Sequence, residues 1–247
     1  MRLDRLLVTL GRGSRTQVQR LIRTGCVMVD DSTVRDPSMD VSENTSVTIN
    51  GHALDTRLSR HLMLYKPAGI LTAARDPKQP TVMDLLPTEM RTLGCMPVGR
   101  LDKDTTGLLF FTTDGTLSHR LLSPERHVEK EYIAEVDGPL SDNDIEAFAS
   151  GLNLGDFSAL PAKLEILESE NDHVKACVTI SEGKFHQVKR MFEAVGREVT
   201  NLHRERFGPL TLGDLPLGEW RELTEEELRG LYLSVGMAEA PQSPHTR

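Results

Sequence analysis

The chain has few cysteines, no long apolar run and no glycine-rich phosphate loop. Cys26, Cys95 and Cys177 are odd in number and far apart. That excludes a disulfide framework, and their spacing fits no zinc site. The absence of any run of about 18 apolar residues excludes a transmembrane helix. The segment Met1-Arg2-Leu3-Asp4-Arg5 lacks the apolar core of a signal peptide. A reduced, cytoplasmic protein with no membrane partner is expected. Internal repeats and low-complexity tracts are also missing, apart from a polar, proline-containing end, 236–247, expected to be disordered.

A shortage of positive charge is only apparent. The formal net charge of −8 argues against a nucleic-acid partner until its distribution is considered. Within residues 1–25, Arg2, Arg5, Arg12, Arg15, Arg20 and Arg23 stand against one acid, Asp4. The segment from Lys184 to Arg206 is basic on balance, while acids gather from Glu135 to Glu146 and from Glu219 to Glu227. Local positive faces thus sit on an acidic body. With 247 residues, 38% of them apolar, the chain can hold one large domain or a small one plus a medium one.

Leu3, Leu6, Leu7 and Leu10 recur at helical spacing, and Gly11 and Gly13 end that helix. Ser14 is placed to cap a second helix with Val18, Leu21 and Ile22 on its apolar face and Gly25 as its stop. Arg15, Gln19 and Arg23 form a polar stripe beside that face. Taken alone the stripe is a solvated helix face, yet arginine is also the residue that grips phosphate in two places at once. Strands are predicted at Val27–Val29 and Val47–Ile49, the latter before an Asn50-Gly51 turn. A short polar linker follows, and the boundaries expected are 1–56 for the first domain, 57–60 for the linker and 61–235 for the second domain.

The second domain starts with a strand, His61–Tyr65, and a turn, Lys66-Pro67-Ala68-Gly69. Its centre is Gly99-Arg100-Leu101-Asp102-Lys103-Asp104-Thr105-Thr106-Gly107-Leu108-Leu109. A charged loop there runs into an apolar stretch, Leu108 to Phe111, that is predicted to be a buried strand. Gly99 and Gly107 bracket the charges and permit turns that other residues resist. Asp102 by itself reads as a turn carboxylate bonded to its own backbone. Val128 to Val136 alternates as a strand with Lys130, Tyr132 and Ala134 on one face, where Tyr132 alone reads as a packed aromatic. Short helices are predicted at Thr81–Leu86 and Leu117–Leu122, a helix capped by Ser141, and strands at Ala162–Leu167 and Val174–Ile180. Glu182 to Val195 is predicted to be helical, with Phe185, Val188, Phe192 and Val195 inside, Lys189 at the edge and Arg190 turned to solvent. His186 alone reads as a capping or packing residue. Thr224 and Glu227 make a capping box for a last helix.

The central motif closely resembles the active-site motif of the RsuA/RluA group of pseudouridine synthases. Lys66-Pro67-Ala68-Gly69, Lys130-Glu131-Tyr132 and Gly183-Lys184-Phe185-His186-Gln187-Val188-Lys189-Arg190-Met191 resemble its other motifs, in the same order. Residues 1–56 resemble the S4 RNA-binding domain. The resemblance implies an α+β protein: a small N-terminal S4 (αL-type) domain, then a catalytic domain built on a mainly antiparallel mixed sheet flanked by helices. Asp102 then corresponds to the nucleophile, Tyr132 to an active-site tyrosine and Lys189 to the basic partner of Asp102. Arg100 is expected to fill the gap left by an extruded uridine. Arg15, Arg23, Lys66, His186, Gln187 and Arg190 are expected to contact RNA.

Converting uridine to pseudouridine breaks a C–N bond and makes a C–C bond, with nothing gained or lost, so neither metal nor organic cofactor is expected. The nucleophile acts at C1′ or assists deprotonation at C2′. The expected partner is ribosomal RNA, small-subunit RNA before large-subunit RNA, and the expected state is a monomer. Two rivals come from other classes. One is a non-catalytic S4 protein of ribosome assembly, against which Asp102, Tyr132 and Lys189 speak. The other is a glycoside hydrolase using Asp102 and Asp104, which face opposite ways if the segment between them is extended.

Overall fold

The computed structural model describes residues 1–42, 45–170 and 173–238. The N-terminal unit pairs two helices, α1 (Leu3–Thr9) and α2 (Arg15–Arg23), with an antiparallel sheet of order β2-β1-β3-β4. Its strands are β1 (Val27–Val29), β2 (Ser32–Val34), β3 (Val47–Ile49) and β4 (His52–Leu54). Ser14 caps α2 in a reciprocal box with Gln17. Leu3, Leu6, Leu7, Leu10, Val18 and Ile22 meet Val27, Val29 and Val47 in one core. Buried Asp4 accepts from both Arg2 and Gln19 at 3.0 Å, and these bonds, led by Arg2, pull its carboxyl down to about 2. Gln19 is therefore held by the fold, whereas Arg15 and Arg23 are exposed.

The expected linker is not slack. Arg60, only 5% exposed, donates to Asp55 and Glu222 at 2.9 Å each. Arg57 reaches the same two carboxylates at 2.7 and 3.0 Å. A second link joins the N-terminal unit to the rest, with Arg12 beside Glu89 at 3.2 Å.

The larger unit is a mixed, mostly antiparallel sheet of order β13-β5-β7-β11-β8-β10-β9. Along the chain these are β5 (His61–Lys66), β7 (Thr106–Thr112), β8 (Lys130–Asp137), β9 (Lys163–Glu170), β10 (His173–Ile180), β11 (Val199–Phe207) and β13 (Trp220–Glu222). Short β6 (Met96–Pro97) pairs with β7 and β12 (Leu210–Thr211) with β11. Only the β7–β11 pairing is parallel among the described strands of this sheet. A 3₁₀ turn (Val82–Leu85) and helices α3 (Thr88–Thr92), α4 (Gly115–Leu122), α5 (Asp142–Ser150), α6 (Gln187–Ala194) and α7 (Glu225–Ser234) flank it. Layers on both faces explain the unbroken apolar run in β7. Leu109 and Phe111 enter one core, while Leu108 and Phe110 enter the other.

Gly107 sits opposite Arg204 where β7 pairs with β11. Its φ is +115°, and a Cβ there would lie 2.3 Å from the Arg204 carbonyl oxygen. The predicted helix from Glu182 begins only at Gln187, because His186 adopts the left-handed conformation at φ +50°. Phe185 consequently lies outside the helix and is 69% exposed, stacked on the His186 ring at 3.8 Å, while Val188, Met191 and Phe192 fill the core. The expected disordered tail, 236–247, lies from residue 239 onward outside the described residues. Gly236 and Met237 follow α7 and stay bonded to its last turn, their amides donating to Leu233 and Tyr232 at 3.0 and 2.9 Å.

Candidate active site

The loop before β7 is fastened from behind. Lys66, fully buried, donates to the carbonyls of Pro67, Lys103 and Thr105 at 3.0, 3.2 and 2.9 Å. Burial pushes its ammonium down to about 8. Thr72 holds Leu101 through both backbone groups, accepting at 3.2 Å and donating at 2.8 Å. Lys66 thus supports the loop, and the expectation that it touches RNA is corrected: an ammonium enclosed by three carbonyls has no path to a phosphate.

So held, the loop turns. The Thr105 amide donates to the Asp102 carbonyl at 3.2 Å, which brings Asp102 and Asp104 to the same cation. Lys189 donates to both Asp104 oxygens at 2.8 and 2.7 Å and stands 3.7 Å from Asp102 Oδ2. Lys189 thus stands beside Asp102 as expected but bonds more closely to Asp104, and the extended path assumed between the two acids is corrected. Lys189 holds the Asp104 carboxyl below its usual range. On the other side of Asp102, His186 Nε2 lies 3.4 Å from Oδ1. The nucleophile candidate is 27% exposed and its two basic neighbours stand at long distances.

Asp102 lines a pocket of about 110 Å³ together with Arg100, Tyr132 and His186. Strand register places Tyr132 opposite Arg204, and Arg204 Nη1 approaches the Tyr132 hydroxyl at 3.5 Å. Arg100 is exposed at the pocket wall. Of two further residues expected at RNA, Gln187 is buried at the pocket lining and Arg190 is half-buried and engaged by protein groups. Gln187, 3% exposed, donates to Glu182 at 2.7 Å and accepts from the Lys184 amide at 3.0 Å. Arg190 is not turned freely to solvent. It is paired with Asp156, donates to Leu154 O at 2.6 Å and lies over the Phe157 ring at 4.9 Å. Both tie α6 to its surroundings, since their side-chain donors and acceptors are already engaged.

Arg204 and Lys130 were absent from the expected site, yet both line the pocket. A signal for Arg204 was present: two residues after buried Leu202, on a strand, it shares that inward face.

A mixed sheet that aims a carboxylate, a buried tyrosine and several cations into one pocket, behind an arginine-bearing α/β arm, describes an RNA-modifying enzyme. Residues 60–194 match the family described as RNA pseudouridylate synthase, and residues 1–52 match the S4 domain. The ribosomal small subunit pseudouridine synthase A of Escherichia coli is 42% identical over 232 residues, covering 92% of this chain and 98% of the relative. An RNA pseudouridine synthase of Bacillus subtilis, YtzG, is 44% identical over 231 residues, covering 92% and 97%. A crystal structure of a pseudouridylate synthase, 34% identical, superposes with a TM-score of 0.65 over 94% of this chain and 99% of that one. The chain belongs to the RNA pseudouridylate synthase family, and within it to the RsuA type.

Proposed function

We propose that this enzyme isomerises one uridine of small-subunit ribosomal RNA to pseudouridine, with Asp102 as the nucleophile and without a cofactor. The observation that carries the reading is the Asp102 carboxylate, partly exposed in the pocket and flanked at 3.4 and 3.7 Å by His186 and Lys189. Neither the imidazole nor the ammonium makes a close contact with it, so a lone pair stays available for the sugar once the uridine is flipped in. Lys189 keeps the site's charge balanced, and Tyr132 stacks on the base or takes part in removing the C5 proton. Arg100 takes the space vacated in the RNA, while Arg15 and Arg23 hold phosphates. The small-subunit target is supported by the names of relatives from Escherichia coli and Yersinia pestis, at 42 and 41% identity. The enzyme acts as a monomer in the cytoplasm, and its expected domain limits are those given above.

The test is incubation with small- and large-subunit ribosomal RNA, separately, followed by mapping of pseudouridine. One new pseudouridine in the small-subunit RNA supports the reading. Modification confined to large-subunit RNA removes the target, and tight binding with no modified residue removes the enzyme in favour of an assembly protein.

A further inference from the structure

We propose that Arg204, seconded by Lys130, binds a carbonyl oxygen of the flipped uracil and stabilises the negative charge the base carries while detached from its sugar. The inference rests on the isomerase reading above and adds to it a group that acts on the base instead of the sugar.

Arg204 is 2% exposed and Lys130 7%. They lie on neighbouring strands, over the same Phe207 ring at 5.2 and 5.8 Å. Arg204 Nε donates to Leu108 O at 2.8 Å and Lys130 Nζ to Val128 O at 2.8 Å. Arg204 Nη2 is buried and finds no acceptor among the described residues. No carboxylate among those residues forms a salt bridge with either cation. Glu182 acts on Lys130 from a distance, but its Oε1 already accepts from Gln187 and the Leu160 amide at 2.7 and 2.8 Å, and its Oε2 faces Lys184 Nζ at 3.6 Å. Burial first, and then the charge of Arg204, pushes the Lys130 ammonium down to about 8. Two adjacent buried cations without an anion are costly to keep. Lys66 is equally buried but closes on three carbonyls, whereas Arg204 keeps a buried nitrogen without an acceptor. A ligand that brings electron density offsets that cost.

The reaction supplies that density for a limited time. Cleavage of C1′–N1 leaves the bonding pair on the base, spread over N1, O2 and O4. The base rotates, the pair at C5 forms the C5–C1′ bond, the C5 proton departs and N1 takes one up. A donor that meets the charged base acts more strongly there than on bound uridine, which is the requirement for lowering the barrier. Thr105 Oγ1 is, among the described residues, the other buried side-chain atom of the pocket without a partner. Uracil presents an N3–H between its two carbonyls, so it offers a donor as well as acceptors.

The test compares RNA carrying uridine or 5-fluorouridine at the target. Fluorine withdraws electrons and makes the detached base a better leaving group. Single-turnover loss of the target nucleoside at saturating RNA reads the cleavage step. Arg204→Gln should slow uridine about 10²- to 10³-fold, the usual loss for one donor to a developing anion. Its penalty on 5-fluorouridine should be about tenfold smaller, and RNA affinity should change less than about threefold. Lys130→Met should show the same differential at smaller amplitude, and Arg204→Lys should recover part of the rate. Equal penalties on both nucleosides overturn the proposal. A loss of affinity with the rate preserved also overturns it and makes Arg204 a phosphate contact. If Arg204→Gln does not fold, Lys130→Met decides by the same comparison. A parent enzyme without turnover defeats the isomerase reading along with this one, whereas a working parent with equal penalties defeats this one alone.

Discussion

Two clusters of four ionisable side chains, built from similar parts, behave differently. At the domain junction Asp55, Arg57, Arg60 and Glu222 close on one another at 2.7 to 3.0 Å. Arg57, then Arg60, hold the Asp55 carboxyl well below the usual carboxylate range. At the pocket Asp102, Asp104, His186 and Lys189 also meet, but the tight bonds there go to Asp104, and Asp102 keeps only its 3.4 and 3.7 Å neighbours. The first arrangement spends its charges on itself and fastens two parts of the chain. The second leaves one carboxylate under-bonded beside a cavity. Proximity of charges therefore does not mark a reactive site; an unsatisfied member of the cluster does.

Substitutions on each side can break this contrast. Among substitutions that leave Asp102 and Arg204 in place, the largest effect is expected for Lys189→Met, which removes the cation shared by both acids. Turnover at saturating RNA should fall about a hundredfold, or about 2.7 kcal/mol of barrier, with affinity nearly kept. Loss of affinity with full turnover would make Lys189 a phosphate contact. Next comes Arg60→Met in the closed cluster. Denaturant unfolding should show a loss of about 2 kcal/mol, discounted because the carboxylates it frees are partly exposed. Pseudouridine formation at saturating RNA should be unchanged, and a matching loss of turnover would erase the distinction between the clusters. Asp104→Asn sharpens the comparison further. Asp104 is 73% exposed, so turnover should stay within about tenfold of the parent; a larger drop would mean that Asp104, not Asp102, is the acid Lys189 serves. The smallest effect belongs to the exposed arm. Replacing Arg15 and Arg23 by Gln should flatten the slope of log affinity against log salt by about 1 to 1.5 units while saturating RNA restores turnover. An unchanged slope would show α2 to be a solvated face.

Much of the fold was legible in periodicity. The apolar run from Leu108 to Phe111, the alternation through Lys130, Tyr132 and Ala134, and the caps at Ser14, Ser141 and Thr224 each became the element they announce. The site was legible where a motif names residues and illegible where side-chain direction decides. A basic side chain reads the same in sequence whether it reaches solvent or carbonyls, so Lys66 and Arg190 were placed at RNA although backbone carbonyls receive them. Phe185 fits a helical face until one left-handed residue, His186, moves the helix start past it. Asp104 looked opposed to Asp102 because the turn that joins them depends on Lys66 and Thr72 from distant segments. Strands β2 and β4 were missed because they are mostly exposed and carry little β-branched apolar signal, whereas the equally short β1 and β3 are announced by valine and isoleucine.

The central claim is that the under-bonded carboxylate is the nucleophile, and Asp102→Asn tests it most directly. The substitution keeps the shape of the side chain and removes its charge. RNA affinity and melting temperature should remain near those of the parent. Pseudouridine formation under single-turnover conditions should fall at least about a thousandfold, roughly 4 kcal/mol of barrier. A rate within about tenfold of the parent would contradict the account and take the nucleophile's role away from Asp102.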